Sequence, residues 1–200
     1  MSDAKVPPQS TDMQRRDFVR DALPELLLIE DNDLREAVVS IWADCWAVSE
    51  WEMLLSVPKH PDLRPERTLV DHSRSVAKLA VACAQVVCEI HGLQFDQDTI
   101  VASALLHDVS KMVEYRPDPA GRSAAELSEL GQRLQHAFYS AAQAMGHQLS
   151  LEIIHTIVAH TAFSKVVPQT WEAVLVHYVD YLDSDALLLA ENRPLHLSKQ

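Results

Sequence analysis

The segment at residues 104–111, ALLHDVSK, carries three ionisable side chains at the end of an apolar run. His107 and Asp108 directly follow Leu106, and Lys111 comes one helical turn after Asp108. An imidazole and a carboxylate can bind a metal ion or carry a proton, and an ammonium can bind a phosphate or a developing negative charge. The segment therefore indicates a reactive site at the end of a buried helix. For Lys111, a solvated position that complements the helix dipole is the alternative.

Four more side chains of metal-ligand type fall on or beside the apolar stripes of other predicted helices. His72 lies four residues before Val76, and Asp180 lies four residues after Val176, so both continue a stripe that faces the core. The other two follow an apolar turn or precede a run of small residues. The prediction is a set of inward-facing side chains on five helices: His72, His107, Asp108, His136, His160 and Asp180.

A single inward histidine is usually a hydrogen-bonded core residue, but this whole set of polar side chains needs another explanation. A buried carboxylate or imidazole costs several kcal/mol unless it is paired or bonded to a metal. Imidazole and carboxylate donors without sulfur suit Fe, Mn, Co, Ni or Zn rather than Cu(I) or Ca. The sequence therefore predicts one or two divalent transition metals and leaves their number and identity open.

The elements that must position these side chains are predicted to be helices throughout. No segment shows sustained strand alternation, and no internal repeat is present. A break at Pro24, N-caps at Asp33, Asp96 and Ser150, and a C-cap at Gly92 set the helix boundaries. We predict an all-α compact helical bundle of about seven helices.

The chain is predicted to divide into four parts along its length. Residues 1–14 are expected to be disordered, 15–57 to form N-terminal helices packed on the core, 58–190 to form the metal-binding helical domain, and 191–200 to form a tail. Within the domain, prolines mark a loop at 57–71. A helix is expected over residues 124–148, with an interruption at Gly131.

Composition excludes several classes of partner. The net charge of -12 and the absence of a Lys/Arg run argue against duplex nucleic acid. Four glycines without a G-x-G-x-x-G or G-K-[ST] pattern make a glycine-cradled nucleotide site improbable. The three cysteines, the polar N-terminus and the lack of a long apolar run predict a cytoplasmic protein without a membrane partner.

The order of these residues resembles the HD-domain superfamily of metal-dependent phosphohydrolases. His72 comes first, His107 and Asp108 follow in LLHDVSK, and Asp180 lies in HYVDYLD, so the resemblance covers about residues 68–185. It implies an all-helical fold in which these four residues bind one metal. The paired histidines and Gly-Tyr-Pro motif of the cyclic-di-nucleotide phosphodiesterases are absent, so that activity is not expected. The N-terminal helices have no counterpart that we can place.

Some members of the superfamily hold a second metal with two further histidines. His136 and His160 fall in the corresponding interval, and IVAHT resembles a motif of the small bimetal HD hydrolases, including dinucleoside tetraphosphate hydrolases. The resemblance implies a metal-activated water that attacks a small phosphorylated metabolite or nucleotide. Asp108 would bridge two metals, and Lys111 would contact the phosphate.

Two other functions remain open at this stage. A few HD-fold proteins hold two irons and cleave a small substrate with dioxygen, and the predicted ligand set permits that reaction. A non-catalytic regulatory HD domain is the other alternative, although it has no need of a complete ligand set. Homodimerisation is compatible with an acidic helical protein that has three tryptophans in its N-terminal helices, but no residue pattern establishes it.

Weaker candidates lie beside the predicted site. His177 and Asp183 each lie three residues from Asp180 and share its face, so either could orient a ligand, and Asp183 could replace Asp180 as the ligand. Three loop arginines could bind phosphate, although an exposed arginine usually has no such role. They are Arg64, Arg67 and Arg116.

Overall fold

The chain is mainly helical in the residues that the computed structural model describes, 11–61, 66–121, 123–134 and 136–196. The elements in chain order are α1 (Asp12–Ala22), a 3-10 helix (Pro24–Leu28), α2 (Asn32–Val48), a 3-10 helix (Leu54–Ser56), α3 (Leu69–His91), α4 (Gln97–Leu106), α5 (Lys111–Glu114), β1 (Tyr115–Arg116), β2 (Glu126–Leu127), α6 (Glu129–Arg133), α7 (Phe138–Gly146), α8 (Leu151–Ala159), a 3-10 helix (Ala162–Ser164) and α9 (Trp171–Ala190). The all-α prediction is confirmed. None of these helices is both long enough and apolar enough to cross a membrane.

Helix α4 is the centre of the bundle. Every residue from Thr99 to Leu106 is buried, because α3, α8, α9 and α2 all pack against it. A helix that is apolar on all sides needs such complete coverage. Its C-terminal end therefore delivers the next residues, His107 and Asp108, into the interior.

Two tryptophans of the N-terminal region form hydrogen bonds to the backbone on both sides of the His-Asp pair. The indole Nε1 of Trp42 donates to the backbone oxygen of Leu105 at 2.9 Å, and that of Trp51 donates to the oxygen of Tyr115 at 3.1 Å. Both tryptophans and Trp46 are buried. These three tryptophans therefore stabilise the interior and are not exposed for contact with a second copy of the chain.

Several helix boundaries follow the predicted capping residues. Asp96 and Ser150 cap α4 and α8 with side-chain acceptors, and Gly92 ends α3 with a φ of 69°. Pro24 begins a 3-10 helix, as the predicted break requires. Helix α2 differs, because its N-cap is Asp31, whose carboxylate accepts from the two backbone amides that follow the cap by two and three residues.

Two helices begin earlier in the chain than predicted. Helix α1 begins at Asp12, because Thr11 and Gln14 form a capping box, so residues 12–14 are helical where disorder was expected. The disorder predicted for residues 1–10 lies outside the described residues. Helix α3 begins at Leu69 under a Thr68 cap, so the last residues of the predicted loop at 57–71 are helical.

The region between α5 and α7 is less regular than predicted. Strands β1 and β2 form an antiparallel pair with Tyr115 opposite Leu127, too short to leave an alternating pattern in the sequence. The expected helix over 124–148 is interrupted between Arg133 and Phe138, after Gly131 rather than at it. Gly131 instead packs on Glu114, because a β-carbon there would lie 2.2 Å from the Glu114 oxygen.

Candidate metal centre

The structure brings all the predicted ligand-type side chains together in two groups that share one residue. The first group is His72, His107, Asp108 and Asp180, and the second is Asp108, His136 and His160. Within each group, one nitrogen or oxygen atom per residue lies within 4.8 Å of the others. Asp108 belongs to both groups, so the two clusters form a single site.

The ends of helices position most of these side chains. His72 lies in the first turn of α3, and His160 is the C-cap of α8. His107 is the C-cap of α4, and Asp108 follows it in the turn that leads to α5. Asp180 alone lies in the middle of a helix, α9. Helix ends can direct several side chains at one point from different directions.

His136 does not lie on a helix, contrary to the prediction of five ligand-bearing helices. It precedes α7 in a connection where Ala137 has a φ of 71°, a left-handed backbone that a helix cannot continue through. This bend turns the His136 imidazole toward Asp108, with Nε2 2.8 Å from Oδ1. It is the most exposed side chain of the two groups.

The donor atoms of the first group are spaced for a single cation. Nε2 of His72 lies 3.1 Å from Nε2 of His107, 3.2 Å from Oδ2 of Asp108 and 3.2 Å from Oδ1 of Asp180. Nε2 of His107 lies 3.5 Å and 3.7 Å from the same two carboxylate oxygens. Bonds of about 2.0–2.2 Å to nitrogen and oxygen place neighbouring donors about 3 Å apart. The first group therefore fits one divalent metal.

The second group uses the other oxygen of Asp108. Oδ1 of Asp108 lies 2.8 Å from Nε2 of His136 and 3.6 Å from Nε2 of His160. Among the described residues this buried oxygen has no partner with hydrogen-bond geometry. His136 lies close enough to pair with this oxygen as an imidazolium, and a cation at this point would take the place of that proton.

Each of the four imidazoles has its Nδ1 held by an oxygen outside the two groups. The pairs are His72 with Asp183 Oδ2 at 2.7 Å, His107 with Ala104 O at 2.7 Å, His160 with Ile157 O at 2.6 Å, and His136 with Glu114 Oε2 at 2.9 Å. A proton on Nδ1 donated to that oxygen leaves the lone pair on Nε2. All four Nε2 atoms face the site, which is the arrangement that metal-binding histidines require.

Burial and charge move the pKa values of the histidines in opposite directions. Burial lowers the pKa of His107 to about 4, so this imidazole is neutral at physiological pH. For His136, burial also favours the neutral form, but the carboxylates of Asp108 and Glu114 outweigh it and raise the pKa to about 9. A metal that binds His136 must therefore displace a proton.

The two carboxylates of the site are held in the charged form. Burial opposes their ionisation, but the charges of Lys111 and Lys59 lower the pKa of Asp108 well below its usual value. Lys59 and the neighbouring histidines do the same for the pKa of Asp180. Both carboxylates are therefore available as anionic donors at neutral pH.

Lys111 is buried rather than solvated at a helix end. Its ammonium forms an ion pair with Oδ2 of Asp108, three residues earlier. Although burial favours the neutral amine, the charge of Asp108 raises the pKa of Lys111, which keeps it cationic. The second lysine of the site, Lys59, was missed by the sequence analysis. Its ammonium lies 3.4 Å from Oδ2 of Asp108 and is equally buried.

The weaker candidates divide into those that support the site and those that do not. Asp183 accepts from His72, as one of the alternatives predicted, and His177 Nδ1 lies 3.1 Å from the backbone oxygen of Ala159. Arg116 pairs with Glu126 at 2.7 Å, away from the two groups. Arg64 lies outside the described residues. Glu114, the partner of His136, was not predicted, because only the fold brings α5 beside that residue.

A shared, buried carboxylate with two sets of oriented imidazoles can hold divalent metals. Comparison with known proteins identifies the protein family. The family model for the HD domain matches residues 69–185. The chain belongs to the HD-domain family of metal-dependent phosphohydrolases, whose members bind divalent metals. The predicted family and reaction class are thus confirmed.

One curated relative narrows the comparison further. It is the dihydroneopterin 2',3'-cyclic phosphate phosphodiesterase of Methanocaldococcus jannaschii, 29% identical over 189 residues, with 86% of this chain and 74% of the relative covered. The alignment extends beyond the HD-domain match, so it includes part of the chain outside residues 69–185. No solved structure matches the chain significantly.

Proposed function

We propose that this chain is a two-metal phosphodiesterase that opens the cyclic phosphate ring of a small metabolite. The observation that carries the proposal is the position of Asp108, whose two oxygens face two separate groups of donors. A carboxylate shared in this way suits a pair of cations that act on one phosphoryl group.

The first cation is assigned to the first group and the second cation to the second group. Nitrogen and oxygen donors without sulfur restrict both to Fe, Mn, Co, Ni or Zn. The relative acts on a 2',3'-cyclic phosphate, and this printed activity supports a cyclic phosphodiester as the substrate of this chain. Such a substrate is small and anionic, and the two buried ammonium groups of the site, on Lys59 and Lys111, suit its negative charge.

The reaction consumes one water and no other reactant. The water oxygen forms a bond to phosphorus, one ring P–O bond breaks, and the released oxygen takes up a proton to give a hydroxyl beside a phosphate monoester. Bound divalent cations supply an activated water and positive charge for the phosphoryl oxygens. The chain fixes their donors: Glu114 orients His136, Asp183 orients His72, and Lys111 places its ammonium beside the bridging carboxylate.

The experiment offers Mn- or Fe-loaded protein a panel of 2',3'-cyclic mononucleotides and dihydroneopterin 2',3'-cyclic phosphate. Phosphorus NMR distinguishes the cyclic phosphate from the monoester product. We expect ring opening by the wild-type protein and none by D108A. Dioxygen consumption without ester cleavage would instead favour the di-iron oxygenase, and inertness in both assays would favour a regulatory domain.

We further propose a cytoplasmic location, because the cysteines are all free and a reducing compartment keeps them so. Fractionation of the source cells would test this. A homodimer remains a proposal that must use a surface other than the buried tryptophans Trp42, Trp46 and Trp51. Light scattering of the purified protein would give its mass directly.

A further inference from the structure

Lys59 places a second buried ammonium among the donors of the first group. Its Nζ lies 2.9 Å from Nε2 of His72, 3.4 Å from Oδ2 of Asp108 and 3.5 Å from Oδ1 of Asp180. The residue is only 7% exposed. Here the ammonium offsets the charge of the two buried carboxylates, and it occupies the space between the donors that a cation would use.

The backbone of Lys59 is fixed against the start of α3. Its amide donates to the oxygen of Arg67 at 2.7 Å, and the amide of Leu69 donates to the oxygen of Val57 at 2.8 Å. Pro58 and Thr68 form an antiparallel bridge between these two bonds. The start of α3 also carries His72, so the ammonium and the imidazole are held in one rigid arrangement.

The imidazole nitrogen of His72 cannot serve both the ammonium and a cation. Nδ1 of His72 is committed to Asp183, so Nε2 has a single lone pair, which it can give to an N–H of Lys59 or to a metal. A metal held by His72, Asp108 and Asp180 therefore removes the shortest contact of Lys59, at His72, and competes with the ammonium for the two carboxylates. A metal also neutralises charge on these carboxylates, so the buried ammonium of Lys59 would gain from contact with a further anion.

We propose that Lys59 is a substrate-binding residue whose ammonium contacts a non-bridging phosphoryl oxygen once the first cation is bound. This inference rests on the proposed function and deepens it. Lys59 reaches Oδ2 of Asp108 from the loop before α3, and Lys111 reaches the same oxygen from α5. The two ammoniums thus converge from different elements on one side of the shared carboxylate, where they could contact the oxygens of a bound phosphoryl group.

The test compares K59M and K59R with the wild-type protein. Met keeps an unbranched side chain without the charge, and Arg restores the charge with a different shape. The matched control is K78M, because Lys78 lies on α3 but is largely exposed and faces Glu25 rather than the site. Calorimetry measures the affinity of Mn²⁺ for the protein, and then the affinity of inorganic phosphate for the Mn-loaded protein.

In K59M we expect Mn²⁺ to bind more tightly, because its competitor for the donors is gone. We expect phosphate to bind about tenfold to a hundredfold more weakly, which is the effect of losing one charged hydrogen bond. The value of kcat/KM for ring opening should fall by a similar factor. K59R should recover part of the phosphate affinity, and K78M should match the wild type in all three measurements.

Phosphate affinity within twofold of wild type in K59M would overturn the inference, as would a loss of bound Mn²⁺. If K59M does not reach the helical content of wild type by circular dichroism, K59Q takes its place with the same expectations. If the wild-type protein opens the ring and K59M is equally active, the inference about Lys59 is wrong and the proposed function stands. A wild-type protein that neither opens the ring nor binds phosphate sinks the proposed function as well.

Discussion

The imidazole of His72 and the carboxylate of Asp183, 111 residues apart in the chain, are joined by a contact of 2.7 Å between Nδ1 and Oδ2. The hydroxyl of Ser75 donates to the other oxygen of Asp183, so the carboxylate is anchored between α3 and α9. Burial opposes the charged carboxylate, but the hydrogen bond from His72 lowers the pKa of Asp183. Asp183 therefore fixes both the tautomer and the orientation of His72.

Replacement of Asp183 by Asn should lower the affinity of the protein for the first cation. The amide keeps the shape but loses the charge that makes His72 a stronger donor, and such partners usually contribute about 10–100-fold in metal affinity. Calorimetric titration with Mn²⁺ measures the change. D71N is the matched control, because Asp71 is exposed beside His72 and bonds Thr68 instead. Equal affinities of D183N and wild type would remove Asp183 from the site.

Replacement of Glu114 by Gln should lower the affinity of the protein for the second cation. Glu114 holds Nδ1 of His136, which directs Nε2 at Asp108. We expect E114Q to keep one tightly bound metal per chain and to bind the other about 10–100-fold more weakly. E129Q is the control, since Glu129 is exposed and pairs with Arg133 on the surface. Two tight metals in E114Q would contradict the role of Glu114.

Affinity for the second cation should rise with pH. The pKa of His136 is about 9, so below that pH the imidazole carries a proton that the metal must displace. One displaced proton lowers the apparent affinity by about tenfold for each pH unit below 9. His107 belongs to the first group, and its pKa of about 4 means that it adds no such pH dependence to the binding of the first cation above pH 5. Equilibrium dialysis at pH 6.5, 7.5 and 8.5 checks the slope, and an affinity that is flat over this range would refute it.

Substitution of Gly131 by Ala should disturb the site through the packing of α6 on α5. The added β-carbon would lie 2.2 Å from the backbone oxygen of Glu114, so the two helices must separate. Overpacking of this kind costs about 1–3 kcal/mol of unfolding free energy, which urea titration measures. At Gly146 nothing lies within 4 Å of the added carbon, so G146A should keep or raise the stability. Equal effects of the two substitutions would disprove the packing argument.

The residues that periodicity could predict are those on the buried stripes or at the buried ends of regular helices. His72 and Asp180 continue apolar stripes, and His107 and Asp108 follow an apolar run that the structure buries completely. The apolar stripes on these helices are continuous, so the spacing of a side chain along the sequence shows that it points inward. His160, at the end of α8, obeys the same rule.

The residues that the sequence could not place depend on irregular backbone or on contacts between distant elements. Lys59 lies in a proline-marked loop, where no period indicates which side chain turns inward. Glu114 pairs with His136 only because Gly131 lets α6 approach α5 and Ala137 bends the chain at a positive φ. Neither an alanine with a positive φ nor a two-residue strand leaves a recognisable pattern in the sequence.

Metal analysis of the purified protein and two variants tests most directly whether Asp108 joins two metal sites. We expect two divalent transition-metal equivalents per chain in the wild type, one in H136A and none in D108A, with helical content preserved in all three. Ring-opening activity should follow the second equivalent. A wild-type protein with one equivalent, or a D108A variant that keeps two, would contradict the shared-carboxylate site.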